Sequence, residues 1–205
     1  SLALFTVLVL TGFANAQIAV TVDNPTNTTP NLAPSYTSLA GAITAINAIS
    51  GMTGPVTFSL AANGTETAPA GGYLLGNATL NGLTSATNTL SFVKFGVGAN
   101  PLITAFTPGT SATVDGIWKI QGTDYVTINS IDLQENSSNT TGNQFMEWGY
   151  ALVKRQSVTP FDGCQNVTIQ NCTVTLNKAN TASVGIYTGN HIATLTTALV
   201  ISATT

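Results

Sequence analysis

A repeat inside the chain constrains its fold more than any other feature. Val126-Thr127-Ile128-Asn129-Ser130-Ile131-Asp132-Leu133 matches Val167-Thr168-Ile169-Gln170-Asn171-Cys172-Thr173-Val174 at an offset of 41 residues. The shared pattern is Val-Thr-Ile, a polar residue, Ser or Asn, then an apolar-polar-apolar triplet. Alternation of this kind marks short strands that bury one face. A sharp corner at Asn129-Ser130 or Gln170-Asn171 would join each pair of strands, and Asn is among the few residues that tolerate the left-handed backbone a corner needs. Three further blocks place a Gly at the head of a strand: Asp115-Gly116-Ile117-Trp118, Trp148-Gly149-Tyr150-Ala151 and Val184-Gly185-Ile186-Tyr187, the glycines 33 and 36 residues apart. Repeats at such spacings predict units that stack and share one core. Val126, Ile128, Ile131 and Leu133 then face inward over Val167, Ile169, Cys172 and Val174, while Thr127, Asp132, Thr168 and Thr173 face outward. An ordinary β-sandwich with two accidentally similar hairpins is the competing reading.

Upstream of the repeats one segment has helical period. Leu39, Ile43, Ile46 and Ile49 share a face, with Thr37 or Ser38 as N-cap and Gly51 as a stop. The period then changes to two at Val56, Phe58 and Leu60, and strands are expected again at 90–95 and 103–106, separated by Gly, Asn and Pro clusters.

Composition narrows the function classes. The 205 residues carry 5 Lys+Arg and 8 Asp+Glu, a net charge of -3, and only 6% charged residues. Soluble domains run near ~25%. Five scattered cations cannot make the phosphate-neutralising footprint of a nucleic-acid binder, so no nucleic-acid partner is expected. A charge-laced coiled coil and a charged disordered tail are excluded for the same reason. With 43% hydrophobic residues the chain can bury a sizeable core.

The apolar run Leu2 to Leu10 and the small residues Ala14-Asn15-Ala16 have the layout of a secretory signal peptide cleaved before Gln17. The run falls short of the ~20 apolar residues of a membrane span. Residues 1–16 are therefore read as an incomplete signal peptide, 17–35 as an N-terminal strand and linker, and 36–205 as the main domain. The uncovered apolar stretch Ala198 to Ile201 leads us to expect that the chain continues past residue 205.

The segments Ser38-Leu39-Ala40-Gly41-Ala42-Ile43-Thr44-Ala45-Ile46-Asn47-Ala48-Ile49 and Gly54-Pro55-Val56-Thr57-Phe58-Ser59-Leu60, together with the two repeat blocks, resemble secreted Bacteroidetes surface proteins of the pectin-lyase-like class. The resemblance implies an all-β fold, a right-handed parallel β-helix (solenoid) with an N-terminal amphipathic capping helix. It implies little about function, since that fold hosts lyases, glycoside hydrolases, adhesins and passive stalks.

Candidate chemistry is sparse. The carbohydrate-cleaving motifs Asn-x-Asp, Asp-Asp, Gly-His-Gly and Arg-x-Lys are absent, so no catalytic residue is assigned. Asp124, Asp132 and Glu135 form the one carboxylate cluster in sequence, either a weak Ca²⁺ or acid–base candidate or simply solvated turn carboxylates. Lys119, Lys154 and Arg155 follow Gly-led strands, where they would serve as a base and substrate clamp or only as solubilising charge, with Lys119 and Lys154 on neighbouring strands. His191 has no nucleophile or second zinc ligand near it and reads as a loop histidine. Cys164 and Cys172 are either a disulfide, permitted in an exported protein, or a buried free thiol and its neighbour. Trp118, Tyr125, Trp148, Tyr150 and Tyr187 cluster around the Gly-led strands; outward they would make a glycan-binding strip, inward they are core. No cofactor is expected. The chain thus reads as a secreted or cell-surface scaffold or adhesin-like module whose partner is a polysaccharide or cell-surface glycan. The alternative is the N-terminal part of a polysaccharide lyase or glycoside hydrolase with its catalytic segments beyond residue 205.

Overall fold

A computed structural model describes residues 17–110, 115–159 and 161–194. The predicted signal segment and the apolar stretch at 198–201 lie outside the described residues. In chain order the elements are β1 (Val20–Asp23), β2 (Thr28–Thr29), β3 (Ser35–Tyr36), α1 (Leu39–Asn47), β4 (Gly51–Met52), β5 (Val56–Ala61), β6 (Thr65–Thr67), β7 (Tyr73–Leu75), α2 (Ala78–Leu83), β8 (Leu90–Phe95), β9 (Leu102–Thr104), β10 (Gly116–Gln121), β11 (Val126–Asn129), β12 (Asp132–Gln134), β13 (Trp148–Lys154), β14 (Thr168–Gln170), β15 (Val174–Thr175) and β16 (Val184–Ile192).

The strands divide among four separate sheets, ordered β14-β11-β8-β5-β1-β3, β16-β13-β10-β7, β15-β12-β9-β6 and β2-β4. This corrects the expected fold class: no single solenoid closes, and the protein is a mostly-β assembly of distinct sheets rather than a right-handed parallel β-helix. Antiparallel pairing accounts for part of the difference. β1 runs antiparallel to both β3 and β5, and β2 antiparallel to β4. The segment read as a strand and linker thus supplies β1, which lies against β5 with Val20 opposite Leu60 and Val22 opposite Phe58.

The repeat offset itself is a strand register. β11 and β14 pair in parallel with Ile128 beside Ile169, and β12 and β15 with Leu133 beside Val174. The corners also match across the offset of 41: Ser130 and Asn171 are both left-handed, at φ 60 and 56, and so are Tyr125 and Asn166, at φ 53 and 54. Side-chain alternation then stacks like on like. Phe58, Phe92 and Ile128 occupy successive positions of one sheet, and the rings of Phe58 and Phe92 are stacked 4.8 Å apart and nearly parallel. Phe92 meets Trp118 edge-on at 5.2 Å, and Trp118 continues the aromatic column to Tyr73 and Tyr150 at 5.6 and 6.0 Å. This column forms the centre of the hydrophobic core.

Of the Gly-led strands, the second and third align at the expected spacing, with Gly149 level with Gly185, but the first is shifted by one residue. Gly116 pairs with Trp148, not with Gly149, whereas Trp148 pairs with Val184.

The helix read from its apolar face is α1, which buries Leu39, Ala42, Ile43 and Ile46. All four of its leading backbone N–H groups are satisfied, which is where helix ends usually lack partners. Ser38 Oγ accepts from Gly41 and the Ser38 carbonyl from Ala42. The Glu66 carboxylate, 5% exposed, accepts from Leu39 N at 2.8 Å and Ala40 N at 3.0 Å. It also accepts from Ile18 N at 3.0 Å and from the Tyr73 hydroxyl at 2.7 Å, so one side chain ties the helix start to β7 and to the residues leading into β1. A second helix, α2, was not evident in the sequence. It is only six residues long, and its N-cap Asn77 accepts from Thr79 N and Leu80 N.

Candidate functional site

The outer surface of the sheet β16-β13-β10-β7 carries the chemistry that converges best. Lys119, Ala151 and Tyr187 occupy successive register positions on it. Trp148 lies flat on Tyr187, rings 4.4 Å apart and 8° from parallel, and packs with Ala151, Val153 and Ala193 in a small second apolar cluster. The backbone places Tyr187 at the lip of a cleft: its hydroxyl lies so close over Gly189 that any Cβ there would collide with it. That cleft, about 410 Å³, is walled by the end of β13, by Gly163 and Cys164, and by Thr188, Gly189 and Asn190 of β16.

Lys154, the last residue of β13, lines the cleft and is 9% exposed. Its Nζ sits 4.5 Å from the centre of the Phe161 ring, which the loop after β13 folds back over it. Arg155 points elsewhere. Its Nε donates to Asp162 Oδ2 at 2.6 Å, and the same oxygen accepts from Asn81 Nδ2 at 2.8 Å. This pins the loop to α2, so Arg155 is a loop anchor rather than a substrate clamp. Lys119 and Lys154 are not register neighbours: Lys119 lies beside Ala151, and Lys154 beside Ile192. Burial pushes the Lys119 ammonium below its ordinary pKa, with the Asp115 carboxylate pulling the other way.

The aromatic candidates separate into two groups. Trp118 and Tyr150 are fully buried, and the Tyr150 hydroxyl donates to the Ile131 carbonyl, so both belong to the core alternative. Tyr125 is half-buried at a left-handed corner, where its N–H donates to the Gln165 carbonyl. Only Trp148 and Tyr187 come together on the outer surface.

The three carboxylates do not converge. Asp124 Oδ1 accepts from Gln165 N at 2.6 Å, and Asp132 Oδ1 from Thr173 N at 2.8 Å and Asn100 Nδ2 at 2.9 Å. Glu135 accepts from Asn139 Nδ2 and from the backbone N–H groups of Asn136 and Met146. Each therefore stitches loops and neighbouring strands together. Among the described residues no three of His, Cys, Asp and Glu gather where they could hold a metal ion. Burial raises the Asp124 carboxyl above its ordinary pKa, with a smaller contribution from the Asp162 charge.

Both cysteines are free thiols, not the Cys164–Cys172 disulfide. Cys164 Sγ donates to the Ile120 carbonyl at 3.2 Å, and Cys172 Sγ to the Gln170 carbonyl at 3.1 Å. Burial lifts the Cys164 thiol to about 11. His191 lies in β16 rather than in a loop.

Comparison with family models, curated proteins and solved structures finds no match to this chain. Among the described residues no helix is long and apolar enough to cross a membrane.

Sequence reasoning did not find the cleft. Phe161 is separated from Lys154 by a loop whose return path depends on the Asp162 bonds to Arg155 and Asn81, and nothing local in the sequence encodes that return.

Proposed function

We propose that the protein is an exported, non-catalytic surface or adhesive module that binds glycans in the cleft beside Tyr187. The observation that carries this reading is the stacked Trp148–Tyr187 pair set at the lip of a cleft whose walls offer the polar groups of Thr188 and Asn190. Sugar rings present apolar C–H faces rimmed by hydroxyls, and an aromatic body with a polar tip suits both features. Trp148 is 4% exposed and packed in its own apolar cluster, and its stack holds the orientation of Tyr187 before any ligand arrives, which lowers the ordering cost of binding. The carboxylates speak for binding rather than glycosidic cleavage, because Asp132 and Glu135 are each committed to at least two donors.

The test is a glycan array followed by isothermal titration of the strongest hits with the wild-type protein and with Tyr187→Ala. We expect Tyr187→Ala to weaken binding at least about tenfold, the scale of one lost aromatic contact. Wild-type binding that Tyr187→Ala leaves unchanged would place the glycan site elsewhere, and release of unsaturated uronides or reducing ends by the wild-type protein would refute the non-catalytic reading.

A further inference from the structure

We infer that the cleft selects sugars bearing an acidic group, and that Lys154 is the residue that reads the charge. This rests on the reading of the cleft as a glycan site and adds a ligand class to it. Lys154 is 9% exposed as a residue, its stem packed away while its Nζ stays open to solvent and so within a ligand's reach. Among the described residues no hydrogen-bond acceptor reaches its Nζ; the group it meets is the Phe161 ring, 4.5 Å away. A ring face satisfies only part of the hydrogen-bonding capacity of an ammonium, and its three donors are left for water or an incoming anion.

The surroundings leave that role open to a ligand. Asp162, the carboxylate nearest along the loop, is already held by Arg155 Nε and Asn81 Nδ2. The remaining walls near Lys154 are neutral: Gly163, Cys164, Thr188 and Asn190. Burial keeps the Cys164 thiol protonated up to about 11, so it contributes no competing negative charge at neutral pH. A carboxylate or sulfate ester entering the cleft would accept a short charge-assisted hydrogen bond from Nζ, while its sugar ring packs toward Tyr187. Both oxyanions have the same complementarity to one ammonium in a neutral cleft. The Phe161 ring lies against Nζ, so the charge is positioned in advance of binding.

The experiment titrates four probes into the wild-type protein: a glucuronic-acid oligosaccharide, its carboxyl-reduced neutral counterpart, a sulfated galactan oligosaccharide and the same galactan without sulfate. We expect each acidic probe that binds to do so at least about tenfold more tightly than its neutral counterpart, with the preference shrinking as salt rises from 50 to 300 mM. The two acidic arms identify whether carboxylate or sulfate is the preferred source. Lys154→Met should abolish the preference, Lys154→Arg should keep it, and Lys94→Met, on β8 of another sheet, should change neither the preference nor neutral binding. Thermal melts of all variants separate misfolding from lost recognition, and the Arg variant preserves the test if the Met variant fails to fold. Equal binding of acidic and neutral probes, or a preference that survives in Lys154→Met, would overturn the inference with the glycan site intact. Binding of neither class at the cleft, judged by insensitivity to Tyr187→Ala, would instead refute the glycan reading beneath it.

Discussion

Replacing Glu66 with Gln should destabilise the protein far more than its near-identical shape suggests. Each carboxylate oxygen accepts two donors: Oε2 takes Ile18 N and Leu39 N, and Oε1 takes Ala40 N and the Tyr73 hydroxyl. An amide has one oxygen, so whichever way it rotates its NH₂ faces two donors. The less costly orientation points the NH₂ toward Tyr73, whose hydroxyl can turn to accept, and this leaves Ala40 N without a partner at the start of α1. Hydrogen bonds to a charged group contribute about 1.5–3 kcal/mol each, and an orphaned buried donor costs about 1–3 kcal/mol. The loss of the carboxylate's attraction to the helix N-terminus adds roughly 0.5 kcal/mol. A total near 3 kcal/mol corresponds to a drop in Tm of about 6–12 °C for a chain of this size. Guanidinium unfolding followed by the fluorescence of buried Trp118 measures it. Tyr73→Phe should cost only about 1 kcal/mol, because three N–H donors still hold the carboxylate. The double variant should cost less than the two singles together, since both remove the same hydroxyl contact. A cost below about 1 kcal/mol for Glu66→Gln would refute the idea that this carboxylate fastens helix, strand and leading segment together.

Two further expectations follow from groups held out of water. Lys119→Met should raise stability at pH 7 by about 1 kcal/mol, or roughly 2–4 °C in Tm, because it removes a buried ammonium that among the described residues forms no ion pair while keeping its apolar stem. The sign has a pH signature: the lowered pKa means the unfolded chain binds the extra proton, so wild-type stability gains on the variant as pH rises toward the ordinary lysine value, and thermal melts from pH 7 to 10 should converge. Cys164, whose thiol is raised to about 11, should be only about 0.1% thiolate at pH 8, so native-state alkylation by iodoacetamide followed by mass spectrometry should be far slower at Cys164 than in the unfolded chain. Equal rates in the two states would show the thiol to be unshielded.

Much of the local architecture was legible in the sequence, for a physical reason. Thr127 and Thr168, or Ile128 and Ile169, are register partners because both blocks alternate in the same phase and both turn at a left-handed residue, Ser130 or Asn171. Closure was not legible. The alternation of Ile18, Val20 and Val22 is the same for a parallel or an antiparallel partner, so the antiparallel entry of β1 beside β5 left no mark in it. The glycines misled because they serve different ends. At Gly149 a Cβ would meet Val174 and the Gly185 carbonyl, whereas at Gly116 it would press on the Lys119 stem. A shared glycine therefore meant a shared register for Gly149 and Gly185 but not for Gly116. The role of Glu66 was hidden by distance, its backbone partners lying 48, 27 and 26 residues away. The cleft was hidden because its walls come from three separate stretches of chain.

The carboxylate bonds that reach across the repeat also limit how this chain can change length. Asp124 holds Gln165 N and Asp132 holds Thr173 N, each a span of 41 residues. Insertions in the exposed stretch 140–143 leave both ends of these clamps and the Glu135 bonds in place, so that is where the chain can lengthen at least cost. Deleting one residue between Asp124 and Asp132 would unfasten one clamp or the other and turn the following side chains from the interior to water. Evolution of this protein is thus steered toward its bends and away from its straight runs.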